Sequence, residues 1–315
     1  MQAIRTKKAA CFLTLAMTAV VTVLRVVLIP PTQNVKTGLF SLSYVVIGAM
    51  VLTMAAALFL LLGDEKAKKT LPAVRGKWLL PVAIVVMAVG VCVLLTTVFE
   101  VYNWGAFGVT PPPTKIVTGA IDRVTLFLTM VFGILTGIYL LRLGFSFIEG
   151  AGEQRGLLPY FALTPTLWMW MRLARYEVSY ASAVEIYESF YDFAMLLFSM
   201  LFLFTWARHA ANVGTYRPRR LLFYALTTAL LSLSGSVARV AFFLLGEGDA
   251  YSAGQLASVP DFAVGCLAAV MSLYWVLAPT EEPTAADTER AETAENAETA
   301  EETPSKPTQE DENSL

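Results

Sequence analysis

Residues 78–99 read WLLPVAIVVMAVGVCVLLTTVF, a run of 22 residues without a charged side chain. An α-helix rises about 1.5 Å per residue, so a run of this length can cross the ~30 Å hydrocarbon core of a bilayer. The whole chain is 56% hydrophobic and 15% charged, with a mean hydropathy of +0.60. Soluble domains rarely have this composition. The sequence therefore predicts an integral membrane protein.

Similar apolar segments lie on both sides of this run. Eight segments are long enough to be spans, at 8–29, 39–62, 78–101, 120–143, 157–176, 183–207, 221–245 and 261–278. The fifth is short and contains Pro159 and Pro165, so a re-entrant or interfacial segment is the alternative there. We predict an all-α polytopic transmembrane helix bundle of about eight spans over residues 1–279.

The first span begins like a signal peptide, with three basic residues before an apolar run. That run continues to about Ile29 and ends in Pro30-Pro31, without the small residues that a signal peptidase recognises. We therefore expect the segment to be retained as a transmembrane helix.

Basic residues lie mainly on one side of the predicted bundle. With eight spans, that side holds the N-terminus and loops that include Arg217, Arg219 and Arg220, whereas Lys36 and Lys115 are among the few basic residues opposite. Positively charged loops stay in the cytoplasm. Both termini are therefore predicted to be cytoplasmic in a multi-pass protein of the cell membrane. Without the fifth span, the arginine cluster would lie outside, which favours keeping that span.

The segment 280–315 differs from the rest of the chain. It holds twelve acidic residues against Arg290 and Lys306, a net charge of 2 − 12 = −10, whereas residues 1–279 carry 21 − 13 = +8. It has no aromatic residue and repeats Ala-Glu-Thr triplets, so it cannot bury enough apolar surface to fold. We expect a disordered acidic cytoplasmic tail. An arm that recruits a basic cytoplasmic partner is the functional alternative.

Several functional classes lack the residues that they need. Cys11, Cys92 and Cys266 lie in different apolar segments without Cys-x-x-Cys spacing, and the only histidine is His209. No His-rich metal site or Ser-His-Asp triad can be built, and no nucleotide-binding glycine motif is present. We expect no cofactor and no metal. The basic loops are short, so their expected partner is the anionic lipid bilayer and not nucleic acid.

Ionisable residues at membrane depth are concentrated at the extracytoplasmic ends of the predicted spans. Such groups are costly in hydrocarbon unless they are paired, hydrated or able to reach the interface. The spacing of Glu185, Glu188 and Asp192 places them on one acidic stripe of the sixth span. Asp261 begins the eighth span at the same end. The candidate ligand-binding residues are Arg25, Glu100, Arg123, Arg172, Arg175, Glu185, Glu188, Asp192 and Arg239.

Two interpretations of this cluster stay open. Arginines that face the acidic stripe would form an outward-open vestibule for a small solute. Alternatively, the same residues form a structural arginine–carboxylate network, because Arg25 and Arg239 lie close enough to their helix ends for the side chains to snorkel to the interface.

Two local motifs predict details of the bundle. Gly133-x-x-x-Gly137 in the fourth span permits close approach of another helix, which we expect to belong to the same chain. Ser182 and Glu185 have the spacing of a capping box, which predicts the start of the sixth span.

One stretch carries a resemblance to other proteins. Residues 167–208 include Trp168, Trp170, Arg172, Tyr180, Ser182, Glu185, Asp192 and a closing Ala207-Arg208. This stretch resembles uncharacterised multi-spanning membrane proteins of anaerobic Gram-positive bacteria. The resemblance brings no assigned activity, but it implies that the extracytoplasmic side faces the cell exterior.

The favoured function is that of a non-enzymatic accessory or sensor component. Its outward-facing charged cluster would hold the helices together or meet a membrane or cytoplasmic protein partner. The alternative is a solute or ion permease that uses the same cluster as its binding site. An intramembrane enzyme is the third and least favoured class.

Overall fold

The computed structural model describes residues 2–28, 43–62, 79–107, 120–149, 158–179, 186–211, 218–244 and 259–277. Nine helices lie within these ranges: α1 Gln2–Leu28, α2 Ser43–Leu62, α3 Leu79–Phe107, α4 Ala120–Ile148, α5 Leu158–Phe161, α6 Thr164–Ser179, α7 Ile186–Ala210, α8 Pro218–Leu244 and α9 Val259–Leu277. All of them belong to one compact unit, Met1–Ala278. The predicted all-α fold is confirmed for this described part of the chain.

Six of these helices are long and apolar enough to cross a membrane, namely α1, α3, α4, α7, α8 and α9. The chain is thus a helical membrane protein. In α2 the apolar stretch Val45–Leu61 is shorter than 18 residues, the minimum length of the other six. Two of the eight spans predicted from the sequence, α2 and the segment 158–179, are therefore not among these six helices.

The segment predicted as the fifth span consists of two helices, α5 and α6, separated by a turn at residues 162–163. Pro165 explains the break, because it has no N–H to donate to the carbonyl of Phe161. The Thr164 hydroxyl donates to that carbonyl instead, at 2.8 Å. Proline in the first turn of α6 is well tolerated, since first-turn N–H groups have no partner within the helix.

Helix α4 continues to Ile148, beyond the predicted end at residue 143. Arg142 does not end the helix because its side chain is exposed, while the next turns bury Leu143 and Phe147. The apolar face of α4 therefore continues past the charged residue.

Helix α8 lies at the centre of the bundle. Of an 18-residue apolar stretch within Arg219–Ala241, 78% is buried, against 33% for the corresponding stretch of Thr6–Val27 in α1. Helix α8 packs against α1, α2, α7 and α9. Small buried residues such as Ala225 and Ala229 let the neighbouring helices approach closely. A helix covered by protein on most sides can also carry polar side chains that lipid would not tolerate.

The glycine motif of α4 packs against α3. A Cβ atom at Gly133 would overlap the hydroxyl of Thr97, and one at Gly137 would lie 3.1 Å from the carbonyl oxygen of Gly90. Gly144 extends the contact, since a Cβ there would lie 3.1 Å from the carbonyl oxygen of Ala83. The predicted close contact within the chain is thus confirmed, and α3 is the partner.

Some sequence predictions fall outside the described residues. They are the acidic tail 280–315, the capping box at 182–185, the basic loop at 63–77 and residues 212–217 of the basic loop at 208–220.

Candidate functional site

Arg25, in the last turn of α1, packs against the ring of Tyr191 near the start of α7. Its guanidinium carbon lies 3.8 Å from the ring centroid, within the range of a cation–π interaction. Arg25 is only 1% exposed. Helix α7 therefore provides an aromatic face that encloses this side chain within the bundle.

Tyr191 is in turn fixed to α8. Its hydroxyl donates to the carbonyl of Leu231 and lies 2.9 Å from Oγ of Ser234. The ring passes over Gly235, where an added Cβ would lie 2.8 Å from Cε1 of the tyrosine. Tyr191 thus contacts α1 through its ring and α8 through both its ring and its hydroxyl.

Arg239 near the end of α8 forms an ion pair with Asp192 of α7. Nη2 of the arginine donates to Oδ1 of the aspartate, and the two side chains are 9% and 14% exposed. Asp192 follows Tyr191 directly, so both interhelical contacts occur at the same turn of α7. An arginine does face the predicted acidic stripe here.

A second ion pair joins α6 to α9. Arg172 donates from Nη1 and Nη2 to the two carboxylate oxygens of Asp261, at 2.5 Å and 3.1 Å. The arginine and aspartate side chains are 16% and 7% exposed, and the guanidinium also lies 5.1 Å from the ring centroid of Trp168. A bidentate pair of this kind fixes both orientation and distance between two helices.

Asp261 is a site residue that was not among the sequence-based candidates, since its position at a helix start has another explanation. Asp261 lies in the first turn of α9, where an acidic residue interacts favourably with the positive end of the helix dipole. Its position therefore does not require an arginine partner. A spacing of 89 residues to Arg172 gives no signal that pairs the two.

The two ion pairs lie at the same end of the bundle. Asp192 lies near the start of α7 and Arg239 near the end of α8. Gly265 of α9 packs on Ser232 of α8, so the start of α9 runs alongside the end of α8. The clustering of charge at one end, expected from the alternation of spans, holds for these residues.

The other candidate residues lie outside the contacts described above. Arg123 is exposed at the start of α4, and Arg175 is half-buried on α6, one turn beyond Arg172. Glu100 and Glu188 lie in α3 and α7, but their side chains are outside the described part, as is Glu185 altogether. Of the nine candidates, Arg25 packs on Tyr191, Asp192 pairs with Arg239, and Arg172 contributes to the second ion pair.

The fold and these contacts define a class, a helical membrane protein whose helices are joined by partly buried ion pairs at one end. In the described part of the chain, no three His, Cys, Asp or Glu side chains are grouped so as to hold a metal ion. No protein-family model, curated protein or solved structure matches the chain.

Proposed function

We propose that the protein is a non-enzymatic accessory or sensor component of the cell membrane, in which the charged cluster holds the helices at fixed positions. The observation that carries this proposal is the pairing of the cluster with itself, Arg239 with Asp192 and Arg172 with Asp261. A buried charge needs a partner. In these pairs another helix supplies that partner, so the arrangement has a role without any solute.

The proposed topology is eight spans with both termini in the cytoplasm. The segment 158–179 has 22 residues, or about 33 Å of helix at 1.5 Å per residue, which is enough to cross a bilayer despite its break. Exposed basic residues lie at the predicted cytoplasmic helix ends, Lys8 in α1, Arg208 in α7 and Arg220 in α8. This distribution favours the cytoplasmic assignment.

The proposed partners are the lipid bilayer and a second protein, with no role for nucleic acid. The segment 280–315 carries a net charge of 2 − 12 = −10, and an acidic segment of this kind attracts a basic surface. A cytoplasmic or membrane protein with such a surface is the partner that its charge fits.

Paired replacement of Asp192 and Arg239 tests the structural role. The variant Asp192→Leu with Arg239→Met removes both charges together and keeps side chains of comparable size. We expect it to fold and to restore a strain that lacks the protein, whereas Arg239→Met alone leaves a buried carboxylate and lowers the amount of folded protein. A double variant that folds normally but does not restore the strain would instead indicate a binding site, as in a permease.

A second experiment tests the partner. The twelve acidic residues of 280–315 are replaced by Asn and Gln, and complexes cross-linked in intact cells are compared on a gel. We expect the cross-linked complex to disappear, because the attraction is electrostatic. A complex that survives this neutralisation would exclude the tail as the recruiting segment.

A further inference from the structure

One face of α4 is turned away from the rest of the bundle. Six large apolar side chains on it are each 40–62% exposed, namely Val124, Phe127, Ile134, Ile138, Phe145 and Ile148. Their spacings of three, four and seven residues place them on one stripe of the helix. These six residues are called the outer face of α4 below. A different side of the helix carries the glycines that pack on α3.

A charged residue, Arg142, lies within this apolar stripe. It follows Ile138 by four residues and precedes Phe145 by three, and its side chain is exposed. Among the described residues it has no hydrogen bond or ion pair, whereas Arg172 and Arg239 are each paired with a carboxylate of another helix. Arg142 is therefore a cation on the outside of the bundle that the described part of this chain does not neutralise.

Two measures place Arg142 at membrane depth. It lies six residues before Ile148 at the end of α4, about 9 Å along the helix axis. In addition, Gly144 packs on the backbone of Ala83, which is five residues inside the charge-free run that begins at residue 78. Arg142 precedes Gly144 in the antiparallel helix, so it lies deeper than Ala83. A charge at this depth is costly unless it is paired.

The direction of the side chain argues against a lipid headgroup as the partner. The Cα–Cβ bonds of a helix tilt toward its N-terminus. Because α4 ends only six residues after Arg142, this tilt leads away from the nearer membrane surface and toward the hydrocarbon centre. Phe145 and Ile148 also lie between the arginine and that surface. An acidic side chain on a neighbouring helix, by contrast, can meet the guanidinium at its own level.

A second copy of this chain does not supply such an acidic side chain. Copies inserted in one membrane have the same orientation, so a two-fold contact through the outer face brings Arg142 close to its own equivalent. The nearest described carboxylate on the stripe is that of Glu149, seven residues or about 10 Å further along the helix. The like charges would therefore repel each other without a compensating anion at the same level.

We propose that the outer face of α4 binds a transmembrane helix of a different membrane protein, and that this helix carries an Asp or Glu at the level of Arg142. The carboxylate would pair with the arginine, while apolar side chains on both sides of it pack against the partner. A single ion pair in an apolar contact fixes the depth at which the two helices meet. The inference rests on the proposed accessory function, because it names the surface through which the partner is met.

Photo-cross-linking in cells that naturally make the protein tests this proposal. A photoreactive amino acid is placed at position 138 of the full chain, or at position 51 of α2 as the control, since Ile138 and Val51 are both 55% exposed. Mass spectrometry then identifies what is attached. We expect position 138, and not position 51, to link to an apolar span that contains Asp or Glu. Attachment to phospholipid alone, to a second copy of this chain, or to a span without a carboxylate would overturn the proposal.

Substitution of Arg142 provides the second measurement. We expect Arg142→Leu to lower the cross-link yield at position 138 by about tenfold or more, because the partner's carboxylate then has no counter-charge. Arg142→Lys keeps the charge and should retain most of the yield. The amount of folded protein is measured for both variants. An unchanged yield in Arg142→Leu would overturn the proposal, and the wild-type result stands if a variant does not fold.

The cross-link is measured separately from the restoration test of the Asp192–Arg239 variant. A double variant that keeps the cross-link but does not restore the strain would contradict the proposed function alone. A double variant that restores the strain, together with a wild-type protein that links only to lipid, would contradict the docking surface alone.

Discussion

Gly235 is the point where the backbone of α8 comes closest to Tyr191, and this makes it sensitive to the smallest side chain. A Cβ there would lie 2.8 Å from the tyrosine ring, so Gly235→Ala displaces the ring that also holds Arg25. We expect a loss of about 1–3 kcal/mol in the free energy of unfolding, as for other overpacked sites. Gly48→Ala is the control, because no atom lies within 4 Å of a Cβ there and alanine favours a helix. Denaturant titration in detergent measures both; equal stability of the two variants would contradict the packing argument.

The Asp192–Arg239 ion pair predicts that single and double substitutions have different effects on the free energy of unfolding. Asp192→Leu alone leaves the arginine charge largely buried, and we expect it to lower the free energy of unfolding by about 3–5 kcal/mol. Adding Arg239→Met should recover most of that loss, since two apolar side chains then pack together. The same titration follows these two variants and Arg239→Met alone. If the two single losses simply add in the double variant, the two residues are not energetically coupled.

Arg172 joins helix α6 to helix α9. Arg172 binds Asp261 through two parallel hydrogen bonds, a geometry that lysine cannot reproduce. We expect Arg172→Lys to lower the free energy of unfolding by about 1–2 kcal/mol. Arg142→Lys on α4, where the side chain is exposed, should change it little. Cross-linking between cysteines on α6 and α9 should become less efficient in the first variant only.

Helices are predictable from this sequence because their signal is local. The charge-free run 78–99 identifies α3 by its length alone, and Pro165 marks the break between α5 and α6. Side-chain pairing is not local. Arg172 pairs with Asp261, and Arg25 packs on Tyr191, because helices that are distant in the sequence pack together. No spacing in the sequence indicates these partners. The general location of the charged cluster was therefore predictable, but its partners were not.

The number of spans is a property of the whole molecule. Single cysteines at positions 36, 70, 214 and 290, in a background without Cys11, Cys92 and Cys266, report the side of each loop. With eight spans, an impermeant thiol reagent added to intact cells labels position 36 only. Labelling at 214 and 290 without labelling at 70 would mean that 158–179 does not cross, whereas labelling at 70 would mean that α2 does not cross.

The central position of α8 also affects how the protein is made. Its serines, threonines and Arg239 are acceptable only where other helices cover them, so α8 released by itself into lipid would be poorly retained. Its covering partner α9 is synthesised after it. We expect α8 to stay beside the insertion machinery until α9 emerges, and nascent chains that stop before residue 259 to be degraded. Pulse-chase analysis of truncated chains measures this, and a truncated chain as long-lived as the full one would show that α8 is retained without its cover.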